Sequence, residues 1–258
     1  MQFVNEYRQK LVSADVAAQA VKSGDWVDYG QFVCQTQVVD EALAKRKDEL
    51  KDVKIRATTR TTPLAVIKAD PYQEVFTYNN FHYSGYDRKL QDQGSAFFIP
   101  IFYHEKPGYY KNYLDVDVAI LAVTPMDDFG YFNFSTSVAT SRAIVEKAKI
   151  VILEVNPNLP RVMGGNNETV HISEIDYIVE ANWAVPEIPN ALPTKEDEQI
   201  ASLIIPQIRN GSCIQLGIGG MPNAVGSLIA KSDLKDLGVH TEMFVDAFVD
   251  MYEAGNLN

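Results

Sequence analysis

The chain has 258 residues, 46% of them hydrophobic and 22% charged, with a formal net charge of −11. That apolar content supports a folded core in one large or two small domains, while the acidic balance excludes a general nucleic-acid binder and an anionic membrane surface as partner. No apolar run approaches the ~20 residues of a spanning helix, and the polar start Phe3-Val-Asn-Glu-Tyr-Arg-Gln-Lys10 has no signal-peptide core, so no membrane contact and a cytoplasmic location are expected.

Ser13-Ala-Asp15 opens a helix that runs to Gly24. Residues 25–29 read as a strand that Gly30 breaks, residues 38–50 have helical spacing, and residues 53–58 are strand-like. The short apolar runs 96–102 and 116–123 read as buried strands, with Phe97 to Phe102 as core rather than a binding surface. Asp127-Asp128 ahead of Gly130 reads as a turn, residues 136–148 as a helix and residues 150–155 as a further strand. This alternation predicts an α/β fold with a mainly parallel sheet. Cys34 and Cys213 sit far apart in apolar stretches and read as two buried free thiols. His82, His104, His171 and His240 lack metal-ligand spacing, so no metal is expected.

Residues 184–198 change character: Pro186, Pro189 and Pro193 lead into Thr194-Lys-Glu-Asp-Glu198, a linker followed by a capped acidic helix start. An internal repeat straddles it. Lys22-Ser-Gly-Asp-Trp-Val-Asp-Tyr-Gly30 matches Arg209-Asn-Gly-Ser-Cys-Ile-Gln-Leu-Gly217 at an offset of 187 positions, and Glu49-Leu-Lys-Asp52 matches Asp233-Leu-Lys-Asp236 at an offset of 184. The second offset aligns Glu242 with Thr58. The pattern predicts two similar open α/β domains related by duplication: residues 1–185, a linker over 186–196, and a second domain over 197–258 that is incomplete by the measure of the first.

The segment Ser212-Cys-Ile-Gln-Leu-Gly-Ile-Gly-Gly-Met-Pro-Asn-Ala-Val225 is an apolar strand, a glycine turn, and a helix expected to start at Pro222. It is neither a dinucleotide fingerprint, which needs glycine where Pro222 stands, nor a P-loop. Free N–H groups and the helix dipole at such a turn favour an anion or a developing oxyanion. Gly238-Val-His-Thr-Glu-Met243 then brings Glu242 to the end of a second short strand. Ligands of open α/β sheets bind beyond the carboxyl ends of strands, and a carboxylate meeting a glycine loop there can attack an acyl group and stabilise the oxyanion. The same residues also suit a ligand-free strand-to-helix turn and an exposed edge carboxylate.

These residues resemble the family I CoA-transferases of the acetyl-CoA hydrolase/transferase group. The match lies in Gly217-Ile-Gly-Gly-Met-Pro-Asn-Ala-Val225 and Gly238-Val-His-Thr-Glu-Met243. Pro125-Met-Asp-Asp-Phe-Gly-Tyr-Phe-Asn-Phe134, Glu154-Val-Asn-Pro-Asn-Leu-Pro-Arg161, His171-Ile-Ser-Glu-Ile-Asp-Tyr-Ile-Val-Glu180 and Ser84-Gly85 support it. Residues 220–243 look like butyryl-CoA:acetate CoA-transferases, with 4-hydroxybutyrate CoA-transferases as near relatives. The resemblance implies two similar α/β domains and Glu242 as a nucleophile that becomes a glutamyl-CoA thioester in ping-pong transfer between short-chain acids. It implies Gly217, Ile218, Gly219, Gly220 and Met221 as the CoA-binding and oxyanion loop. Coenzyme A enters as a substrate, with no permanently bound cofactor. The expected partners are acyl-CoA, short-chain carboxylates, a second copy of the chain, and the C-terminal half that longer family members carry. Two departures stand out: family members are much longer, and the loop Tyr29-Gly-Gln-Phe-Val-Cys-Gln-Thr36, placed to line the acyl pocket, differs from the butyryl form. An acyl-CoA hydrolase and a non-catalytic α/β binding module are the rival readings.

Overall fold

The computed structural model describes residues 3–165 and 167–258, in two compact units, Met1–Pro186 and Glu187–Asn258. The first unit is built on a seven-stranded, all-parallel sheet. Its strands are β1 (Trp26–Gln31), β2 (Val53–Thr58), β3 (Phe76–Asn80), β4 (Phe97–Phe98), β5 (Val118–Val123), β7 (Ile150–Val155) and β9 (Tyr177–Glu180). The order across the sheet is β4-β3-β2-β1-β5-β7-β9, so the chain builds outward from β1 on one side and then crosses to the other. A short antiparallel pair, β6 (Tyr131–Asn133) and β8 (Thr169–His171), lies apart from it. The helices of this unit are α1 (Val4–Lys10), α2 (Ala14–Ala18), α3 (Val38–Ala44), α4 (Ala65–Ala69), α5 (Gly85–Asp92), α6 (Lys106–Asn112) and α7 (Ser141–Lys147).

Both faces of the sheet are covered, which is why β5, Val-Ala-Ile-Leu-Ala-Val, reads as an unbroken apolar run. In β5, Val118 and Ile120 pack into one core with Val27, Ile55 and Leu43, while Ala119, Leu121 and Val123 pack into the other with Phe132 and Ile144. Each large aliphatic side chain buried in this way stabilises the fold by about 1.5–3 kcal/mol. Strands β2 and β7 fall at 53–58 and 150–155, as expected. The run 96–102 differs from its reading as core: β4 is a two-residue edge strand, and Phe97, Phe98 and Phe102 are half or more exposed. The helix expected over 136–148 starts only at Ser141, because Ser135 and Ala139 hold positive φ, 55° and 40°.

The second unit contains α8 (Lys195–Ile204), β10 (Cys213–Ile214), α9 (Gly220–Ala230), β11 (Gly238–Val239) and α10 (Asp246–Glu253) around its own core of Leu216, Val225, Ile229, Phe248 and Met251. Thr194 caps α8 in a reciprocal box with Asp197. β10 and β11 pair in parallel, Cys213 opposite Gly238 and Ile214 opposite Val239.

The opening βαβ segments of the units share their details. Gly24 (φ +90°) donates its N–H to the Lys51 carbonyl at 3.0 Å, and Gly211 (φ +76°) donates to that of Lys235 at 3.1 Å. The Lys51 N–H reaches Ser23 Oγ at 3.0 Å, and the Lys235 N–H reaches Asn210 Oδ1 at 2.9 Å. Asp52 and Asp236, next in each chain segment, are both left-handed. Lys54 then donates to the Asp25 carbonyl at 2.9 Å, and Gly238 to that of Ser212 at 3.0 Å. Among the described residues no helix is long and apolar enough to cross a membrane.

Candidate active site

In the second unit β10 ends at Ile214 and the chain turns into α9 through Gln215 to Gly219. The helix begins at Gly220, two residues earlier than expected, so Pro222 lies within its first turn, where a missing N–H is tolerated. Gly219 caps the helix with φ +132°, a backbone that only glycine adopts readily. Gly220 is held by a close approach: a Cβ there would lie 2.8 Å from Asp197 Oδ2 and 3.2 Å from the Leu192 carbonyl oxygen. Gly217 and Ile218 are exposed, and Met221 turns into the core of the unit. The first N–H groups of α9 have no partner within the helix and sit at its positive dipole end.

Glu242 is exposed and lies on a bend three residues beyond β11, not on the strand itself, and His240 is likewise outside it. Its position is set by the parallel pairing and by its neighbour. The His240 N–H donates to the Ile214 carbonyl at 3.1 Å, and the Thr241 hydroxyl lies 3.3 Å from the Leu216 carbonyl oxygen and 3.0 Å from that of Met243. Thr241 therefore ties the segment bearing Glu242 to the residue before Gly217, at the carboxyl end of the β10–β11 pair. A cavity of about 650 Å³ in this unit is lined by Cys213, Gly238, His240, Phe248 and Tyr252, but by neither Glu242 nor the glycine turn. Cys213 is exposed, contrary to its reading as a buried thiol; its two-residue strand has little to cover it.

Cys34 in the first unit is buried, and burial pushes its thiol up, away from reactivity. It belongs to the loop 29–36, which is pinned at the ends of β1 and β2. Gly30 (φ +71°) sits at a register shift, where a Cβ would lie 2.7 Å from Leu121 Cδ2. Phe32 and Thr59, the residues after each strand, hold φ of 51° and 49°. Such positions cost about 1 kcal/mol or more and persist only where the surroundings dictate them. Here Gln35 Nε2 donates to the carbonyls of Gly30 (3.2 Å) and Thr58 (2.9 Å), and the Lys106 ammonium donates to Thr58 Oγ1 (2.8 Å) and Gln31 Oε1 (3.2 Å).

Below these strand ends lies a layer of buried charge that sequence reasoning missed. Asp28 and Arg56, register partners on β1 and β2, pair at 2.9 Å, and the Tyr110 hydroxyl donates to Asp28 at 2.5 Å. Burial, with Asp28 beside it, pushes Tyr110 well above its ordinary value. Asp40 accepts from Tyr29 and from the first N–H groups of α4, and burial outweighs the nearby Arg60 to raise its pKa. Glu154 of β7 receives Thr36 Oγ1 at 2.5 Å, the N–H groups of Gln37 and Val39 at 3.0 Å each, and Trp183 Nε1 at 2.6 Å. It fills the N-terminus of α3. The signal available in the sequence was a charge inside each of three strands, Asp28 in β1, Arg56 in β2 and Glu154 in β7.

Three comparisons bear on this arrangement. Residues 1–189 match the model of the acetyl-CoA hydrolase/transferase N-terminal domain. The chain is 52% identical over 260 residues to a butyryl-CoA:acetate CoA-transferase of Anaerostipes caccae, covering 100% of this chain and 58% of that protein. It is 48% identical over 256 residues to a probable butyrate:acetyl-CoA coenzyme A-transferase of Syntrophomonas wolfei, covering 98% and 57%. The chain thus spans less than two thirds of the length of either relative. Among solved structures, RipA from Yersinia pestis superposes with a TM-score of 0.89 at 27% identity, covering 100% of this chain and 61% of that one. A 4-hydroxybutyrate CoA-transferase of Porphyromonas gingivalis gives 0.76 at 27%, covering 100% and 60%.

Proposed function

The chain belongs to the acetyl-CoA hydrolase/transferase family, and on that premise we propose that it acts in acyl-CoA:carboxylate CoA transfer with Glu242 as the covalent nucleophile. One observation carries the assignment: Thr241 ties the Glu242 segment to the residue before the glycine turn, so carboxylate and N–H donors share one sheet end. Butyryl-CoA as donor and acetate as acceptor are the substrates favoured by the two relatives at 52% and 48% identity.

The Glu242 carboxylate attacks the thioester carbonyl and expels CoA thiolate, leaving an acyl-glutamyl anhydride. The thiolate attacks the glutamyl carbonyl, releasing the acid and forming a glutamyl-CoA thioester. An incoming carboxylate attacks that thioester, freeing thiolate and forming the second anhydride. The thiolate then attacks the new acyl carbonyl, giving the new acyl-CoA and restoring Glu242. The acyl activation is carried throughout as thioester or anhydride, so no nucleotide is consumed. At each addition the N–H groups of Gly219 and Gly220 are the proposed donors to the oxyanion, and Gly217, Ile218 and Met221 complete the loop that receives CoA.

The two units are proposed to be copies of one α/β plan. The paired hydrogen bonds at Gly24 and Gly211, at Lys51 and Lys235, and at Lys54 and Gly238 support this, as do the left-handed Asp52 and Asp236. Under that proposal Glu242 aligns with Thr58 at the offset of 184 positions.

The test uses the protein that carries this chain. Incubation with acyl-CoA alone should add the mass of CoA to the Glu242 peptide, and turnover should be ping-pong. Near-native turnover by Glu242→Ala would remove the assignment. Adding acetate separates transfer from hydrolysis: transfer makes acetyl-CoA, and hydrolysis makes only free CoA.

A further inference from the structure

Lys106, the first residue of α6, is 1% exposed, yet its ammonium lies at the carboxyl ends of β1 and β2. It grips Gln31 and Thr58, the last residue of each strand, immediately before the left-handed Phe32 and Thr59. The rings of Phe81 and Tyr103 lie 5.0 and 5.3 Å from it. The acid that acts on it, Asp28, is already committed to Arg56 and Tyr110, and among the described residues Lys106 forms no ion pair. A buried cation without its own counter-ion favours an anion nearby. β1 is also where the sheet order reverses, with β2 on one side and β5 on the other, the place where open parallel sheets receive ligands.

We propose that Lys106 is a positioning residue for the acid substrate: it clamps the ends of β1 and β2 in their left-handed turns and supplies the positive charge that draws a short-chain carboxylate to them. It acts through Gln31 and Thr58 rather than by touching the acid. The inference rests on the CoA-transfer reading for the identity of that acid. A second prop is electrostatic. Burial lowers the Lys106 pKa to about 8, with Asp28 of β1 opposing that shift and Arg56 of β2 adding to it. Tyr110, on its own helix, stays protonated because burial and Asp28 raise it. Above about pH 8 the charge is lost, while a short-chain carboxylate stays ionised throughout.

Two measurements test this on the protein that carries the chain, for wild type, Lys106→Met and Lys106→Arg, at about pH 7 and about pH 9.5. One is equilibrium binding of acetate and butyrate by ligand-observed NMR, and the other is CoA transfer with acid and acyl-CoA varied separately. Wild type should bind acid more weakly at the higher pH. Lys106→Met should weaken acid binding and raise the acid KM about tenfold at pH 7, abolish the pH effect, and leave the acyl-CoA KM within about threefold. Lys106→Arg, charged at both pH values, should keep acid affinity at both. Acid binding by wild type that is flat with pH would overturn the proposal without any variant having to fold. So would an equal rise in both KM values in Lys106→Met, or absence of acid binding by wild type. If wild type binds acid with the expected pH dependence but transfers no CoA, the transfer reading falls and the role of Lys106 in holding a carboxylate stands.

Discussion

Gly226→Ala tests whether the glycine turn and Glu242 are held in register by the packing beneath them. Gly226 lies in the middle of α9 and faces Ala247 of α10. A Cβ at Gly226 would come within 3.0 Å of the Ala247 Cβ and 3.1 Å from Leu216 Cδ1. Ala247 has no rotamer with which to yield, so the helices must part by several tenths of an ångström to about 1 Å. Alanine gains about 1 kcal/mol over glycine in helix propensity, and overpacking costs about 1–3 kcal/mol. The net is a loss of about 0–2 kcal/mol, or up to roughly 30-fold in the opening equilibrium of the second unit. Because α9 begins at Gly220 and α10 follows Glu242 by four residues, parting the helices also moves the proposed oxyanion donors from the nucleophile. Misplacement by about 1 Å lowers turnover by about 10²-fold. Hydrogen–deuterium exchange should show faster exchange in residues 213–258 and unchanged exchange in the first unit, while CoA-transfer assays report the fall in kcat. Adding Ala247→Gly removes the opposing carbon and should recover both, with a coupling energy of about 1 kcal/mol or more. A Gly226→Ala protein with slower exchange and unchanged kcat would mean that propensity alone decides, and the packing argument would fail.

Gly220→Val should lower kcat by about 10²-fold through loss of one oxyanion donor, since its side chain must displace Asp197 Oδ2 and the Leu192 carbonyl; unchanged kcat would reduce the glycine turn to a simple connection. Lys106 also gives folding stability a pH dependence. Its pKa is lowered from 10.5 to about 8 in the folded chain, so between those values the unfolded chain binds more protons and stability rises with pH, by up to about 3 kcal/mol. The buried tyrosines Tyr29, Tyr78 and Tyr110 work in the opposite sense near the top of that window. The quantity to measure is therefore the difference from Lys106→Met in urea unfolding at about pH 8 and about pH 10. A wild-type slope no steeper than that of the variant would show that Lys106 is not buried as a cation.

The strands at 118–123 and 150–155 were legible because a sheet covered on both faces leaves a largely apolar run. Helix lengths were less so: the run 38–50 has helical spacing, yet α3 stops at Ala44 and looser turns follow to Leu50. Phe97 and Phe98 misled because hydrophobicity alone does not separate an edge strand from a central one. The glycine turn between β10 and α9 could be read from residue type and order, whereas Glu242, expected at a strand end, lies three residues beyond β11. The other end of the chain offered no comparable mark. Asp28, Arg56, Lys106 and Glu154 are charges that composition assigns to the surface, and only the folded chain shows them buried around the ends of β1 and β2.

Glu154 gives this layer a consequence of its own. In the first unit the N–H groups that open α3 are already answered by a carboxylate from β7, locked by Thr36 and Trp183. The chain supplies its own carboxylate there, from within the same sheet. A side chain from within the unit thus occupies a helix N-terminus that favours an anion, and in doing so ties the start of α3 to β7. The start of α3 is therefore complete without any ligand, whereas the first N–H groups of α9 have no partner within their own helix.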